Sequence, residues 1–237
     1  MDLRAPSLNS LFDISQFRYS FNDYLEGYCG AEQVLCDCRG EGSDKKNLSV
    51  CFADPSTRAI VEMSSKDRKW EMHALSKLLS FGNTLFDKLF FDYLVIDTSP
   101  GLQYSSVNAI VAADVALIVT TLETSDLQGT RVMLRDLYKR FRKKAAVIVN
   151  KVPNDLLQSQ RMEKIKHVLG SFGLLFIEGI ACSCEIPLSQ NPSSFACAEQ
   201  NHPFSKTLER IVTQISHCQD RDFRLKPLMH LLPLQKM

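Results

Sequence analysis

The most informative stretch of the chain is residues 91–101, which read F-D-Y-L-V-I-D-T-S-P-G. The apolar run 93–96 ends in Asp97, and a turn containing Pro100 and Gly101 follows it. This order predicts a buried parallel strand that brings one carboxylate to the carboxyl edge of a sheet, where open α/β sheets bind their ligands. A carboxylate there can hold Mg²⁺, through a water molecule, beside a nucleotide phosphate. The competing interpretation is an Asp that only caps the turn after the strand.

The composition is that of an ordinary globular chain. Its 237 residues include 45% hydrophobic and 23% charged side chains, so we expect one buried core and one domain. We place this domain at residues 1–218 and expect an irregular tail at 219–237, where Pro227 and Pro233 disfavour a long helix. The net charge of +1 gives no bulk attraction to nucleic acid or to an anionic membrane. Without an apolar signal core or a membrane-length apolar run, we expect a cytoplasmic protein whose eight cysteines are free thiols.

Strand-like runs alternate with helix-like segments along the chain. The strand candidates are short and apolar, and they fall at residues 48–52, 93–97, 115–121, 145–150 and 174–180. The helix candidates carry apolar side chains at helical spacing, and they fall at residues 70–79, 83–89, 125–141, 159–171 and 203–215. Apolar strands separated by helices predict an α/β fold, with a mostly parallel sheet covered by helices on both faces in a Rossmann-like, three-layer arrangement.

Two further stretches place polar side chains at the same edge of the predicted sheet. Asn150 and Lys151 end the apolar strand candidate 145–150. An Asn amide offers donors and an acceptor in one plane, which suits a purine edge, and a Lys stem can lie along the base. The alternative for Asn150 is a turn cap. After the last strand candidate, residues 185–187 read E-I-P and form a loop that can wall a base pocket.

The beginning of the chain, residues 2–8, reads D-L-R-A-P-S-L, as though a strand has just ended and a loop begins. With the motifs above, it resembles the MinD/ParA/Mrp family of ATPases, P-loop NTPases with a deviant phosphate loop, and especially the archaeal MinD-like proteins. In that family a D-x-D-x-R-x-P-S segment forms the first switch, so the resemblance implies that Asp2 is its second acid, which helps to place the attacking water. The family's Walker B strand and second switch are matched by Asp97, Pro100 and Gly101.

Later parts of the chain extend the same resemblance. The helix after the second switch of the family carries Asn-Ala, which is matched by Asn108 and Ala109. The strand-ending Asn-Lys that contacts adenine in the family is matched by Asn150 and Lys151. A loop ending in Ile-Pro is matched at Pro187. The resemblance therefore implies that Asn150, Lys151 and Pro187, together with the residues of the second switch, contact the nucleotide.

The chain departs from the family pattern at the phosphate loop. The family opens with a strand, a K-G-G-x-G-K-[ST]-T loop, a helix and a second strand, and the sequence contains no such loop. The stretch 40–46 has glycines and lysines, but no strand precedes it. A β-α-β unit of roughly 30–40 residues comes before the first switch in the family, so the resemblance implies an N-terminally truncated version of the fold. We therefore expect that this chain alone neither binds nor hydrolyses ATP.

The resemblance implies an ATPase domain for ATP-dependent spatial organisation, either in placing the cell division site or in partitioning chromosomes and plasmids. It implies ATP and Mg²⁺ as cofactors, catalytic roles for Asp2 and Asp97, and water-mediated binding of the metal by Asp97. It also implies a homodimer when nucleotide is bound, a partner protein, and action at a DNA or membrane surface from the cytoplasm. The candidate for DNA contact is a basic cluster, for which a solvated helix end is the alternative. Its members are Arg135, Lys139, Arg140, Arg142, Lys143 and Lys144.

Two other functions stay open. One is a non-catalytic, partner-binding module of the same fold. The other is an iron–sulfur carrier of the Mrp type, for which the candidate ligands are the C-x-C pairs Cys36/Cys38 and Cys182/Cys184. Metal and cluster sites typically use wider spacing and more ligands, so ordinary thiols are the alternative for these pairs.

Overall fold

The computed structural model describes residues 2–6, 8, 17–37, 48–99, 104–123, 125–126, 129–130, 144–157, 159–171, 174–183, 186 and 199–218. The chain divides into two compact units, Met1–Ala113 and Asp114–Met237. Four predicted features lie largely or wholly outside the described residues: the stretch 40–46, the helix 125–141, the basic cluster at the end of that helix, and the tail 219–237. The assignment of one domain to residues 1–218 stays a prediction.

The first unit is mainly helical. Its helices are α1 (Phe21–Glu26), α2 (Thr57–Ser65), α3 (Arg68–Asp87) and α4 (Tyr104–Ala112), with a 3₁₀ turn at Ala31–Val34. Three of these helices begin at a side chain that accepts a backbone N–H of the first turn, which is the usual way to satisfy the free donors of a helix start. The caps are Ser20 for α1, Ser56 for α2 and Asp67 for α3.

Helices α1 and α3 form the core of this unit. The rings of Phe21 and Tyr24 pack against Phe81, with centroid separations of 5.3 Å and 5.2 Å. Leu25 and Leu78 are buried in the same cluster. The Tyr24 hydroxyl donates to the carbonyl of Lys77 at 3.0 Å, so the buried tyrosine keeps a hydrogen-bond partner while its ring fills the core.

Helix α3 is continuous, whereas the sequence predicted two helical pieces at 70–79 and 83–89. The sequence between those pieces includes Gly82, which lies buried within the helix. A mid-helix glycine costs only about 1 kcal/mol relative to alanine, so burial of the surrounding apolar face outweighs it. Residues 48–52, predicted as a strand, form only β2 (Ser49–Val50), which pairs antiparallel with β1 (Cys36–Asp37).

The prediction of a strand at residues 93–97 was wrong. The segment 93–99 belongs to neither of the sheets that the structure describes. Leu94 and Ile96 turn towards the helical core, while Val95 on the opposite side is 90% exposed. This alternation is typical of a strand, but a strand also needs a neighbour for its backbone groups, and no described segment pairs with this one.

The second unit contains a parallel sheet. Its strands are β3 (Val115–Thr120), β4 (Lys144–Val152) and β5 (Leu175–Ala181), in the order β3-β4-β5. Its helices are α5 (Asn154–Leu157), α6 (Gln160–Ser171) and α7 (Pro203–Cys218). These elements confirm the strands predicted at 115–121, 145–150 and 174–180, the helices predicted at 159–171 and 203–215, and the α/β fold class.

The middle strand is the most deeply buried part of the second unit. Residues Ala146, Val147, Ile148 and Val149 of β4 are successive and all buried, as expected for a strand covered on both faces. Helix α7 contributes Ile211 to the cluster that contains Ala146 and Ile148. Among the described parts of the chain, no helix combines the length and the apolar character needed to cross a bilayer.

Candidate functional site

Asp97 lies near the end of the extended segment of the first unit, and its side chain is exposed. It does not lie at the carboxyl edge of a described sheet, because no described strand pairs with the segment that carries it. Ser99, two residues later, is buried. Pro100 and Gly101, the other predicted residues of this loop, lie outside the described residues. The exposed Asp97 is therefore followed, two residues later, by a buried serine.

The structure brings Asp2 to this same loop. One carboxylate oxygen of Asp2, Oδ1, accepts a hydrogen bond of 2.6 Å from the Ser99 hydroxyl and one of 2.9 Å from the Ala5 backbone N–H. The first bond joins residues 97 positions apart in the chain. Asp2 thus closes a tight N-terminal turn and anchors it to Ser99, in the loop that follows Asp97.

Helix α4 also contacts Ser99. The Ser106 hydroxyl donates to the Ser99 carbonyl at 3.1 Å. Ser105 is buried beside it, and its hydroxyl has no hydrogen-bond partner in the described part of the chain. Hydroxyl groups and backbone donors near the start of a helix favour an anionic neighbour.

Sequence reasoning missed Glu71, a buried carboxylate on α3. It forms an ion pair with Arg4 at 3.3 Å and accepts a hydrogen bond from Asn108 at 3.1 Å. Burial raises the pKa of Glu71, and the neighbouring Arg4 guanidinium opposes that rise. A signal was present, because Glu71 precedes the buried residues Ala74 and Leu78 at helical spacing and so falls on the apolar stripe of α3.

Asn150 and Lys151 belong to the second unit. The prediction that they end their strand was wrong, because β4 continues to Val152. The pairing register with β5 shifts between Val149 and Val152, and Lys151 has a φ of 54°, in the left-handed region. The Asn150 side-chain oxygen accepts the Lys151 N–H at 2.8 Å. A non-glycine residue in this conformation is held by its surroundings, and such positions cluster at functional sites.

The bulge at Asn150 decides what that side chain offers to a ligand. Its amide oxygen is engaged with the backbone, while the amide nitrogen keeps two donor hydrogens. A cleft of about 460 Å³ in this unit lies between β5, α5 and α7, and neither Asn150 nor Lys151 lines it. Pro187, the third base-contacting candidate, lies outside the described residues.

The cysteines give no described metal centre. Cys182 is exposed and forms no disulfide, while Cys184 and Cys38 lie outside the described residues. Within the part of the chain that the structure describes, no group of three or more His, Cys, Asp or Glu side chains could hold a metal ion. The iron–sulfur interpretation stays a prediction.

Comparison with known proteins identifies the class. A family model described as an AAA domain matches residues 56–150. The septum site-determining protein MinD of Helicobacter pylori is 29% identical over 158 residues, which cover 64% of this chain and 53% of that protein. The MinC:MinD cell division protein complex of Aquifex aeolicus superposes with a TM-score of 0.67 at 19% identity, covering 95% of this chain and 82% of that one. A plasmid partition protein of Borrelia burgdorferi gives a TM-score of 0.65 at 18% identity, covering 92% and 83%.

The parallel sheet, its helices and these structural matches define an α/β P-loop NTPase fold. Within that class, the chain is similar in sequence to MinD proteins, and it shares its fold with MinD and with a plasmid partition protein. The chain spans 53–57% of the length of the first curated relatives that it matches.

Proposed function

We propose that this chain is a MinD/ParA-type ATPase domain that serves ATP-dependent spatial organisation, in placing the division site or in partitioning DNA. The observation that carries the proposal is the 2.6 Å hydrogen bond between Ser99 and Asp2. It joins the segment that resembles the first switch of the family to the loop that resembles the second. The relatives named above, a septum site-determining protein and a plasmid partition protein, support both forms of the activity.

The residue roles follow the family pattern and are part of the proposal. Asp2 and Asp97 are the catalytic carboxylates, and Asp97 reaches Mg²⁺ through water. Asn150 and Lys151 contact the adenine, together with Pro187. Pro100 and Gly101 belong to the second switch. The exposed carboxylate of Asp97 supports its role, because a hydrated Mg²⁺ ion needs an accessible oxygen ligand.

The residues present fit only part of an ATP–Mg²⁺ site. Asp97 supplies carboxylate oxygens, and the unpartnered Ser105 hydroxyl near the start of α4 supplies a donor. The sequence has no G-x-x-x-x-G-K-[ST] motif, so it provides neither the ring of backbone N–H groups that surrounds the β- and γ-phosphates nor the phosphate-binding lysine. We therefore propose that this chain by itself neither binds nor hydrolyses ATP, and no catalytic step is assigned to it alone.

Nucleotide titration tests the proposal in two forms of the protein. The first form is the chain itself, for which calorimetry should detect no ATP binding at millimolar nucleotide with Mg²⁺. The second carries the first β-α-β unit of a MinD relative, with its phosphate loop, as an N-terminal fusion, and it should bind ATP and turn it over. Asp97→Ala in the fusion should abolish turnover. Asp92→Ala, which removes another exposed carboxylate of the same segment, is the matched control and should leave turnover unchanged.

Three results would contradict this proposal. Micromolar ATP affinity of the unmodified chain would refute its dependence on a phosphate loop. A folded fusion without ATP binding would refute the ATPase assignment. Equal turnover in Asp97→Ala and the unsubstituted fusion would refute the role of Asp97.

A non-catalytic, partner-binding module of the same fold is the second candidate. The observation that favours it is the outward side of segment 93–97, where Tyr93 and Val95 are exposed apolar residues. One structural neighbour is a MinC:MinD complex, which supports a partner protein for this chain as well. Under either candidate we propose action in the cytoplasm, peripherally at a membrane or DNA surface. For the ATPase candidate we also propose a homodimer when nucleotide is bound. A folded fusion that binds no ATP, together with an unsubstituted chain that captures a partner, would favour the module.

A further inference from the structure

Glu71 lies at the meeting point of three segments of the first unit. Glu71 is 3% exposed and lies in the first turn of α3. Oε1 faces Arg4 of the N-terminal turn, and Oε2 faces Asn108 of α4. A buried carboxylate with a partner on each oxygen fixes both partners in direction, because its hydrogen bonds are charge-assisted and directional.

The Arg4 side fixes the N-terminal turn. One terminal guanidinium nitrogen of Arg4 donates to Glu71 Oε1 at 3.3 Å, and Nε donates to the Met63 carbonyl at 3.3 Å. The turn itself is closed by the 2.9 Å bond from the Ala5 N–H to Asp2. Because Arg4 lies inside this turn, these contacts help to hold the turn against the helices, and hence help to set where the Asp2 carboxylate lies.

The Asn108 side fixes α4. Its amide nitrogen donates to the Glu71 backbone carbonyl at 2.9 Å and to Oε2 at 3.1 Å. Two residues earlier, Ser106 donates to the Ser99 carbonyl, and the Ser99 hydroxyl donates to Asp2. The contacts therefore form a closed circuit from Glu71 through α4 and Ser99 to the N-terminal turn, and back to Glu71 through Arg4.

Global stability alone gives a weak reason for this arrangement. Burial raises the pKa of Glu71, which means that its charged form is disfavoured at this place. A buried ion pair is often matched or exceeded in stability by apolar side chains of similar size. The described charged group that faces Glu71 is Arg4 from the N-terminal turn, and α4 presents the neutral Asn108. What the carboxylate provides, and an apolar side chain could not, is a directional link between segments.

We propose that Glu71 is a positioning residue, which holds Asp2 in register with Ser99 through Arg4 on one side and Asn108 on the other. The N-terminal turn and the loop after Asp97 then move as one body. The importance of this link for catalysis rests on the proposed function, because only that proposal makes Asp2 and Asp97 site residues. The link itself requires no nucleotide.

Hydrogen exchange of the Ala5 amide, in the full chain without nucleotide, measures the link directly. Glu71→Gln keeps the shape and an acceptor oxygen but removes the charge that binds Arg4. We expect exchange at Ala5 to accelerate about tenfold or more, the size that follows from losing a hydrogen bond to a charged group. Glu62→Gln is the matched control, because it makes the same chemical change at an exposed ion pair, and it should leave Ala5 unchanged.

The pH dependence of hydrogen exchange at Ala5 distinguishes a positioning role of Glu71 from a role in packing alone. In the unsubstituted chain, protonation of Glu71 should release Arg4, so protection of Ala5, corrected for intrinsic exchange, should fall as the pH drops through the raised pKa of Glu71. In Glu71→Gln this step should be absent.

A second variant keeps the proposal falsifiable if Glu71→Gln does not fold. Arg4→Met removes the cation from a half-buried position and leaves the Asn108 contact in place, and it should accelerate exchange at Ala5 as well. Unchanged exchange at Ala5 in a folded Glu71→Gln or Arg4→Met protein would overturn the proposal. A failure of ATP binding in the fusion protein would leave these exchange results untouched, so the two proposals fail separately.

Discussion

Two apolar stretches of similar sequence adopt different secondary structures in this molecule. Residues 115–120 read V-A-L-I-V-T and form a strand of the parallel sheet, while residues 93–97 read Y-L-V-I-D and belong to no described sheet. The first stretch has β4 beside it, and β4 in turn has β5. The comparison teaches that an apolar, β-branched stretch becomes a strand only where a neighbour accepts its backbone hydrogen bonds.

The two units consequently depend on different interactions. In the second unit, the most buried side chains are successive residues of one central strand, and helices pack over them. In the first unit, helices α1 and α3 supply much of the core, and segment 93–97 packs only one of its sides against that core. A substitution in β4 should therefore lower the free energy of unfolding far more than the same substitution in segment 93–97.

The largest expected effect comes from shortening one valine in each stretch. Val147 in β4 is fully buried, and Val147→Ala should lower the free energy of unfolding by about 2–3 kcal/mol through lost burial and the cavity left behind. Val95→Ala should change it by less than about 0.5 kcal/mol, because that side chain is exposed. Urea unfolding followed by far-ultraviolet circular dichroism measures both. Equal losses in the two variants would show that segment 93–97 is packed as a strand in solution.

A second pair of variants compares how tightly side chains pack around one glycine in each unit. A Cβ at Gly179 in β5 would lie 3.0 Å from the Leu157 side chain, so Gly179→Ala should destabilise the protein by about 1–3 kcal/mol. A Cβ at Gly82, in α3 behind segment 93–97, would meet Leu94 at an ordinary 3.9 Å. Gly82→Ala should therefore stabilise it by about 0.5–1 kcal/mol through helix propensity.

The control for this pair is Gly170→Ala in α6, where an added Cβ meets nothing within 4 Å. Like Gly82→Ala, it should raise the midpoint temperature of thermal unfolding. A stabilised Gly179→Ala protein would contradict the close approach of α5 to β5.

These contrasts explain how much of the molecule the sequence could predict. The strands at 115–121, 145–150 and 174–180 were predictable, because each apolar run has a partner in the same unit. The run 93–97 was mispredicted since local sequence carries no information on whether a neighbouring strand is present. The cluster of Asp2 with the loop after Asp97 came from family resemblance, as no spacing rule links residues so far apart in the chain.

Two features of the candidate site needed the structure itself. Glu71 was missed because acidic residues are rarely buried, although its position on the apolar stripe of α3 was a usable signal. The bulge at Lys151 was not predictable, because lysine has no preference for a positive φ. Turn chemistry would have indicated Gly or Asn at that position instead.

The pH dependence of stability should distinguish the buried carboxylate of the first unit from any group of the sheet. The pKa of Glu71 is raised by burial, so its folded state favours the protonated form. Its favourable contribution is therefore present below the ordinary Glu pKa and is lost as the pH rises through the raised value. The stability of Glu71→Gln relative to the unsubstituted protein should rise over that same interval. Fluorescence of Trp70, the one tryptophan of the chain, reports unfolding of this unit.

The smallest expected effect has the opposite sign and lies at Glu26, also in the first unit. Burial alone would raise its pKa, but hydrogen bonds from Lys66 and Trp70 outweigh burial and lower it. The stabilisation is therefore present above the ordinary value of 4.5 and is lost as the pH falls through the lowered pKa. Glu26→Gln should cost about 0.5 kcal/mol at pH 7 and nothing below that range, since partly exposed ion pairs contribute little. Opposite pH slopes for Glu26 and Glu71, measured with the same Trp70 signal, would separate a carboxylate that stabilises the unit from one that is kept for position, whereas parallel slopes would contradict the burial of Glu71.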